Sequence, residues 1–247
     1  MNDLITPDWP APANVRALVT TRNGGVSRSP YASLNLADHV EDDPQAVAEN
    51  RRLLRQRVPQ IPQDPLWLKQ VHGVRCVEVE TSESGVEADA SWSCTPGRVC
   101  AVLTADCLPL LLCDEAGTVV SAVHAGWQGL AKGVIEAAVG TLPVVPGKLL
   151  AWMGPAIGPS AFEVGADVRD QFFLHDPAAA AAFISLPNGK WLGDLYLLAR
   201  QRLAALGVMR VYGGGECTVT DAARFYSFRR DKVTGRMASL IWLAGPA

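Results

Sequence analysis

The sequence predicts a mixed α/β chain folded as one domain, residues 1–247, with mixed rather than all-parallel sheets. Three observations carry this. Strand-like and helix-like segments are interspersed along the 247 residues. The most strongly written strand pair, "LTADCLPLLLCDEAGTVVSAVHAGW", is a hairpin, with two apolar runs around an Asp-Glu-Ala-Gly break. No internal repeat or linker interrupts the chain, and 49% apolar residues supply a core for a chain of this size.

From the N-terminus, "VRALVTT" reads as a first strand and "TTRNGGVSRSPYASLNL" as a long functional loop. In "DDPQAVAENRRLLRQRV", Asp43 as N-cap and Pro44 at the first helical position predict a helix that ends before Pro59. "LWLKQVHGVRCVEVE" reads as strand, break at Gly73, strand. The hairpin follows, with "RVCAVLTADCLPLLLC" as its first arm and "TVVSAVHAGW" as its second. "GLAKGVIEAAVGTL" predicts a helix, "KLLAWMG" a strand, and "SAFEVGADVRDQFF" and "PAAAAAFISL" two more helices. "DLYLLARQRLAALGV" is the clearest amphipathic helix, capped by Asp194 and stopped by Gly207. "RFYSFRRDKVTGRMASLIWL" reads as a final hairpin turning near Thr234-Gly235.

Net charge is −3 with no basic run, which argues against nucleic acid as a partner. The opening "MNDLITPDWPAP" has no signal-peptide character, and no apolar run approaches the roughly 18 residues of a membrane span. These features lead us to expect a cytoplasmic protein with no membrane partner; they set no oligomeric state. The six cysteines form no CxxC pair, so most are expected to be free, core-like thiols.

Cys107 departs from that expectation. With Cys113 opposite Thr118 around a four-residue loop, Cys107 falls directly opposite His124, with Cβ atoms about 4.5–5.5 Å apart. Leu108, Leu110 and Leu112 then supply the packing face and leave the Cys/His face for chemistry. Pro109, which cannot donate a ladder bond, is the point where this register could slip. The chain has four histidines, and His72 closes "LKQVHG" before a Gly73 that permits a tight turn. His72, Cys107 and His124 make a three-ligand set of the kind that catalytic zinc uses. The same residues also suit a thiolate–imidazolium nucleophile pair or plain core packing. Asp106 could orient a histidine, carry a proton or cap a turn. Gly126, Gly129 and Gly133 mark a strand-to-helix passage that would favour an anion. Arg22, Arg229 and Arg230 are the candidate cations for substrate. His39 reads as a loop or capping residue and His175 as surface; neither is expected to bind metal.

Taken together, "TTRNGGVSRSPYASLNL", "HVEDD", "LKQVHG", "TADCLPLLL", "VHAGW", "GPAIG", "FEVG", "ECT" and "FYSFRR" resemble the YfiH family, also called the laccase-domain or multicopper polyphenol oxidase family. The matches run in order over about residues 17 to 240. The resemblance implies a four-layer α-β-β-α sandwich and zinc bound by His72, Cys107 and His124. It implies phosphorolysis of purine nucleosides (adenosine, inosine, guanosine, methylthioadenosine) and deamination of adenosine. The alternatives are an amidase-type hydrolase editing a UDP-muramoyl-serine cell-wall precursor, and a non-catalytic metal-binding protein. The expected catalytic residues are Cys107, Asp106 and His124, and the expected substrate residues Arg22, Gln70 and Arg229. Two positions depart from the family's pattern: Gln128 stands for an arginine in "HAGWQG", and Ala156 for a cysteine in "GPAIG". Four histidines cannot furnish a mononuclear copper and a trinuclear cluster, so copper is expected only as a substitute for zinc and oxidase activity as adventitious.

Overall fold

The computed structural model describes residues 4–245. A two-residue strand β1 (Leu4–Ile5) pairs with β2 (Val15–Thr20). Helix α1 (Pro44–Arg57) begins as its sequence requires: the Asp43 side chain accepts from the Gln45 amide, and Pro44 occupies the first turn, where no donor is needed. Five strands follow: β3 (Cys76–Glu78), β4 (Ala90–Ser93), β5 (Val99–Thr104), β6 (Leu108–Asp114) and β7 (Val120–Ala125). The expected single helix after β7 is two, α2 (Trp127–Lys132) and α3 (Val134–Thr141), because Gly133 takes a left-handed φ of 97° and closes α2.

Next come β8 (Leu149–Met153), β9 (Glu163–Val164) and α4 (Ala166–His175). The first part of the expected "SAFEVGADVRDQFF" helix is thus strand. The alanine-rich segment is 3-10 helical over Pro177–Ala182, capped by Asp176, and passes into β10 (Phe183–Ser185) and β11 (Trp191–Gly193). Helix α5 (Leu195–Ala205) has the Asp194 cap its sequence predicts, and Gly207 beyond it has φ 84°. After β12 (Arg210–Gly213) the expected last hairpin is absent. Ser227 caps a one-turn helix α6 (Phe228–Asp231), accepting from the Arg230 amide, and only β13 (Met237–Leu243) is strand.

The sheets are mixed. One has the order β1-β2-β13-β5, a second β12-β8-β6-β7-β4-β3, and a small third β10-β11-β9. The β12–β8 and β3–β4 pairs are parallel; the other pairs are antiparallel. Buried side chains from the two large sheets interdigitate, with Val19, Val102 and Ile241 of the first meeting Leu111, Ala122 and Leu150 of the second. Outside the six-stranded sheet, Leu108, Leu110 and Leu112 pack on Leu130, Ile135 and Leu203 of the helices. Outside the four-stranded sheet, Leu103 and Leu240 pack on Leu54 of α1. The layers are therefore α-β-β-α.

Two findings correct the expected hairpin. The run "VCAVLTADCLPLLLC" is two strands in different sheets, β5 and β6, and the chain crosses between them at Asp106, which has φ 89°. Pairing of β6 with β7 is also displaced by two residues: Pro109, not Cys107, stands opposite His124, and Leu108 opposite Ala125. Asp114 causes this shift. Its carboxylate accepts from Thr118 N at 2.6 Å, Thr118 Oγ1 at 2.8 Å and Val119 N at 3.0 Å, and its amide donates to the Val119 carbonyl at 3.3 Å, so the four-residue loop is 115–118 rather than 114–117. A two-residue slip preserves which face each side chain occupies. Cys107 and His124 stay on one face as diagonal neighbours, but that face is free only at its end: Leu111 and Cys113 further along it are buried between the sheets.

Leu111, fully buried in the inter-sheet core, and Leu174, 88% exposed on α4, make a paired test. In urea unfolding, Leu111→Ala is expected to lower stability by about 2–5 kcal/mol. Leu174→Ala is expected to change it by less than about 0.5 kcal/mol.

Candidate metal centre

Three segments of the chain converge at one end of the six-stranded sheet. His72 lies in the loop before β3, Cys107 just before β6, and His124 near the end of β7. Their donor atoms all lie within 4.8 Å of one another, and they are the one cluster of three such side chains among the described residues. Cys107 Sγ is 3.6 Å from His72 Nε2, and the two imidazole rings meet edge-on with centroids 4.8 Å apart.

The loop places His72 in an unexpected way. His72 itself, not Gly73, takes the left-handed conformation, with φ 56°. What holds it there is Asp89, just before β4 and fully buried. Its Oδ1 accepts from His72 N at 2.9 Å; its Oδ2 accepts from Gly73 N at 2.6 Å and Val71 N at 3.2 Å. The same Oδ1 lies 2.8 Å from His124 Nδ1. Burial pushes this carboxyl up, but the His124 hydrogen bond and charge and the backbone donors outweigh it and hold the group below its ordinary value. An ionised Asp89 takes the His124 Nδ1 proton as a hydrogen bond and so leaves Nε2 for a metal. Sequence reading missed Asp89 because "VEADAS" has the polarity of a loop. The available signal was an acid at the edge of the apolar "ASW" strand.

The donor set fits a tetrahedral metal ion. Metal–sulfur and metal–nitrogen lengths of about 2.3 and 2.0–2.1 Å imply a sulfur–nitrogen edge of about 3.5 Å, close to the observed 3.6 Å. Gly126 supplies the clearance: a Cβ there would fall 2.8 Å from Cys107 Sγ and 2.9 Å from His72 Cδ2. Burial raises the Cys107 thiol, but the His124 and His72 rings overcome it and hold the thiol below its usual value. Burial lowers His124, whereas Cys107 and Asp89 raise it more. The thiolate form, the one that ligates metals, is thus favoured here.

Asp106 does not orient either histidine. Its carboxylate accepts from Thr218 Oγ1 at 2.6 Å, Ser227 Oγ at 3.0 Å and Arg229 N at 2.6 Å, which ties the corner between the two sheets to the C-terminal loop. These three bonds hold the turn at Asp106.

The cluster opens into a cavity of about 430 Å³, within the range of small-molecule sites. A larger groove of about 890 Å³ beside α1 gathers no metal-ligating cluster. Phe162, Phe228 and Trp127 give the metal-site cavity aromatic walls, and Arg229, Lys232 and Arg236 line it with cations. None of these three makes an ion pair among the described residues. Gln70 lines the cavity, but its amide is closed on the Leu103 backbone, donating at 2.8 Å and accepting at 2.7 Å. Arg229 stacks over Phe162 and donates Nη1 to the Glu163 carbonyl.

Three expectations change. Arg22 is not at the cavity: its guanidinium donates to the Ala32 and Ala222 carbonyls and lies over the Tyr226 ring. Arg230 is likewise spent, on the carbonyls of Thr218, Val219 and Phe225 and on Asp231. His39 does line the cavity, where burial and the nearby Arg236 charge lower its pKa. Arg236 was missed because a lone arginine before a strand carries no local motif. His175 is half exposed, 3.8 Å from Glu136, as a surface residue should be. Ala156 is buried in a bridge to Cys217, and Gln128 lies in the first turn of α2.

Asp89→Asn is expected to weaken metal binding by about 10–100-fold in a competition titration against a chromophoric chelator. His175→Ala is expected to leave it unchanged. Equal losses in both variants would contradict this assignment of ligands and supporting residues.

Residues 16–244 match the family model described as multi-copper polyphenol oxidoreductase laccase. A Pseudomonas aeruginosa protein named purine nucleoside phosphorylase is 58% identical over 244 residues, 98% of this chain and 99% of that one. The Escherichia coli K12 protein named purine nucleoside phosphorylase YfiH is 54% identical over 245 residues, 98% of this chain and 100% of that one. Among solved structures, a Neisseria meningitidis protein superposes with a TM-score of 0.94 at 51% identity, over 99% of this chain and all of that one. YlmD from Geobacillus stearothermophilus gives 0.87 at 29% identity, over 94% and 93% of the two chains. The chain belongs to the YfiH family of laccase-like proteins.

Proposed function

We propose that this protein is a zinc-dependent purine nucleoside phosphorylase that also deaminates adenosine. The observation that carries the reading is one cavity holding a His-Cys-His metal set, aromatic walls and three cations without carboxylate partners. Relatives of matching length named purine nucleoside phosphorylase support the phosphorolysis part of the reading. Among the described residues Asp106 is the only carboxylate lining the cavity, and both its oxygens are engaged. The cavity therefore favours an anionic co-substrate such as phosphate.

In phosphorolysis a phosphate oxygen bonds to C1′ of the sugar as the glycosidic C–N bond breaks, and the base leaves with the bonding electrons and takes a proton. His72, Cys107 and His124 would hold zinc, which when bound supplies Lewis-acid polarisation of oxygen and lowers the pKa of water. Arg229, Lys232 and Arg236 would concentrate phosphate and offset its charge. Phe228, half exposed at the cavity wall, offers an aromatic face to a purine. The cluster offers donors for one metal ion, the two other histidines lie outside it, and the described residues form no second such cluster, whereas a four-copper oxidase needs a trinuclear site as well.

Incubation with adenosine and phosphate is expected to yield adenine and ribose 1-phosphate, with inosine as the deamination product. A chelator should abolish turnover, and zinc should restore it better than copper. Cys107→Ser should lose metal and activity together, since thiolate is among the strongest zinc ligands. Full activity in metal-free protein would contradict the proposal. Phe228→Ala is expected to raise the nucleoside KM about tenfold with little effect on the phosphate KM, consistent with about 1–1.5 kcal/mol of lost stacking.

A further inference from the structure

Two polar side chains on one wall of the cavity are left unsatisfied by the protein. Arg236, partly buried, donates Nη1 to the carbonyls of Thr234 and Gly235 in its own loop, at 2.8 and 3.0 Å. Among the described residues its Nε and Nη2 have no hydrogen-bond partner, and no carboxylate pairs with it. Thr104, the last residue of β5, is 2% exposed, and its Oγ1 has no partner. Both residues line the metal-site cavity. They are also close along the sheet, because Thr104 stands opposite Met237, the residue after Arg236. A buried hydroxyl without a partner is costly, and the half-buried Arg236 guanidinium keeps one edge without a protein partner.

The other cations are less suited to hold an anion deep in the cavity. Lys232 is exposed, where solvent screens it. Arg229 is braced against the Glu163 carbonyl and the Phe162 ring. Gln70 has its amide closed on Leu103. Arg229 and Arg236 are both half-buried and both commit only Nη1 to protein carbonyls; Arg236 is set apart because its chain neighbour Met237 stands opposite the unpartnered Thr104, and its free fork matches two oxygens of a tetrahedral oxyanion.

We infer that Arg236 and Thr104 form the inorganic-phosphate subsite, with Arg236 Nε and Nη2 donating to two phosphate oxygens and the Thr104 hydroxyl donating to a third. This assignment rests on the phosphorylase reading and goes further by locating the co-substrate. It also gives the cavity a direction: phosphate at the β5–β13 wall, beside the metal ligands, and the nucleoside between that wall and the aromatic residues.

The test is calorimetric titration of zinc-loaded protein with inorganic phosphate, without nucleoside, and separately with adenosine monophosphate. Arg236→Lys keeps the charge but loses the fork, Thr104→Val keeps the shape but loses the hydroxyl, and Arg52→Ala removes an exposed arginine of α1 paired with Glu49. The expected result is a phosphate Kd weakened about tenfold in each cavity variant and unchanged in Arg52→Ala, with zinc content intact throughout. In turnover, the phosphate KM should rise by a similar factor and the nucleoside KM by less than about twofold. If Arg236→Lys does not fold, the near-isosteric Thr104→Val carries the test. Unchanged phosphate affinity in folded, zinc-loaded cavity variants overturns the subsite even if phosphorolysis is observed. Heat from the nucleotide but none from phosphate overturns it as well, in favour of a phosphoryl group carried by the nucleoside. Arg236-dependent phosphate binding without nucleoside cleavage would instead sink the phosphorylase reading and leave the subsite standing.

Discussion

One buried carboxylate organises the functional end of this molecule. Asp89 gathers the amides of Val71, His72 and Gly73 and faces His124 Nδ1. A carboxylate out of water requires several donors, and here the donors are the loop that carries one metal ligand and the ring of another. The three amide bonds offset the cost of a left-handed histidine, a conformation that a β-substituted residue otherwise avoids. Without Asp89 the His72 loop would lose its anchor and His124 its fixed tautomer. Two of the three candidate ligands are therefore placed by a carboxylate outside the set.

The third ligand is placed by a corner. Asp106 turns the chain out of the four-stranded sheet and into the six-stranded one, and Cys107 is the next residue. The Asp106 carboxylate binds Thr218, Ser227 and the Arg229 amide, so the same residue that fixes the thiolate fixes the loop bearing the cationic wall. The inter-sheet core behind the corner is closed to solvent, with Leu111, Ala122 and Val120 fully buried. Such a core does not deform continuously, which gives the ligands a rigid base. The candidate metal site and the cationic wall of the cavity are thus two sides of one fold junction.

Much of this was legible in the sequence. Asp43-Pro44 and Asp194 mark their helices because caps are local chemistry. The β6–β7 hairpin was legible from its apolar runs, and the His72–Cys107–His124 set from residue type and the family's motifs. The register was not legible, since a shift of two residues leaves the alternation of faces unchanged and the Asp114 side chain holds the four-residue loop one residue further along. The passage between sheets at Asp106 carries no glycine or proline and hides inside one apolar run. The aromatic "RFYSF" reads as strand until Ser227 is seen capping a helical turn. Arg22 and Arg236 look alike in sequence; only tertiary structure shows that the first is spent on carbonyls and the second faces the cavity.

X-ray absorption spectroscopy at the edge of the bound metal, on protein purified without added metal, tests the central claim most directly. A site built from His72, Cys107 and His124 predicts one sulfur neighbour at about 2.3 Å and two imidazole nitrogens at about 2.0–2.1 Å, with a lighter atom completing four-coordination. In Asp89→Asn the imidazole signature should weaken while the sulfur remains. A zinc edge with no sulfur scatterer, or an all-oxygen shell, would contradict the account.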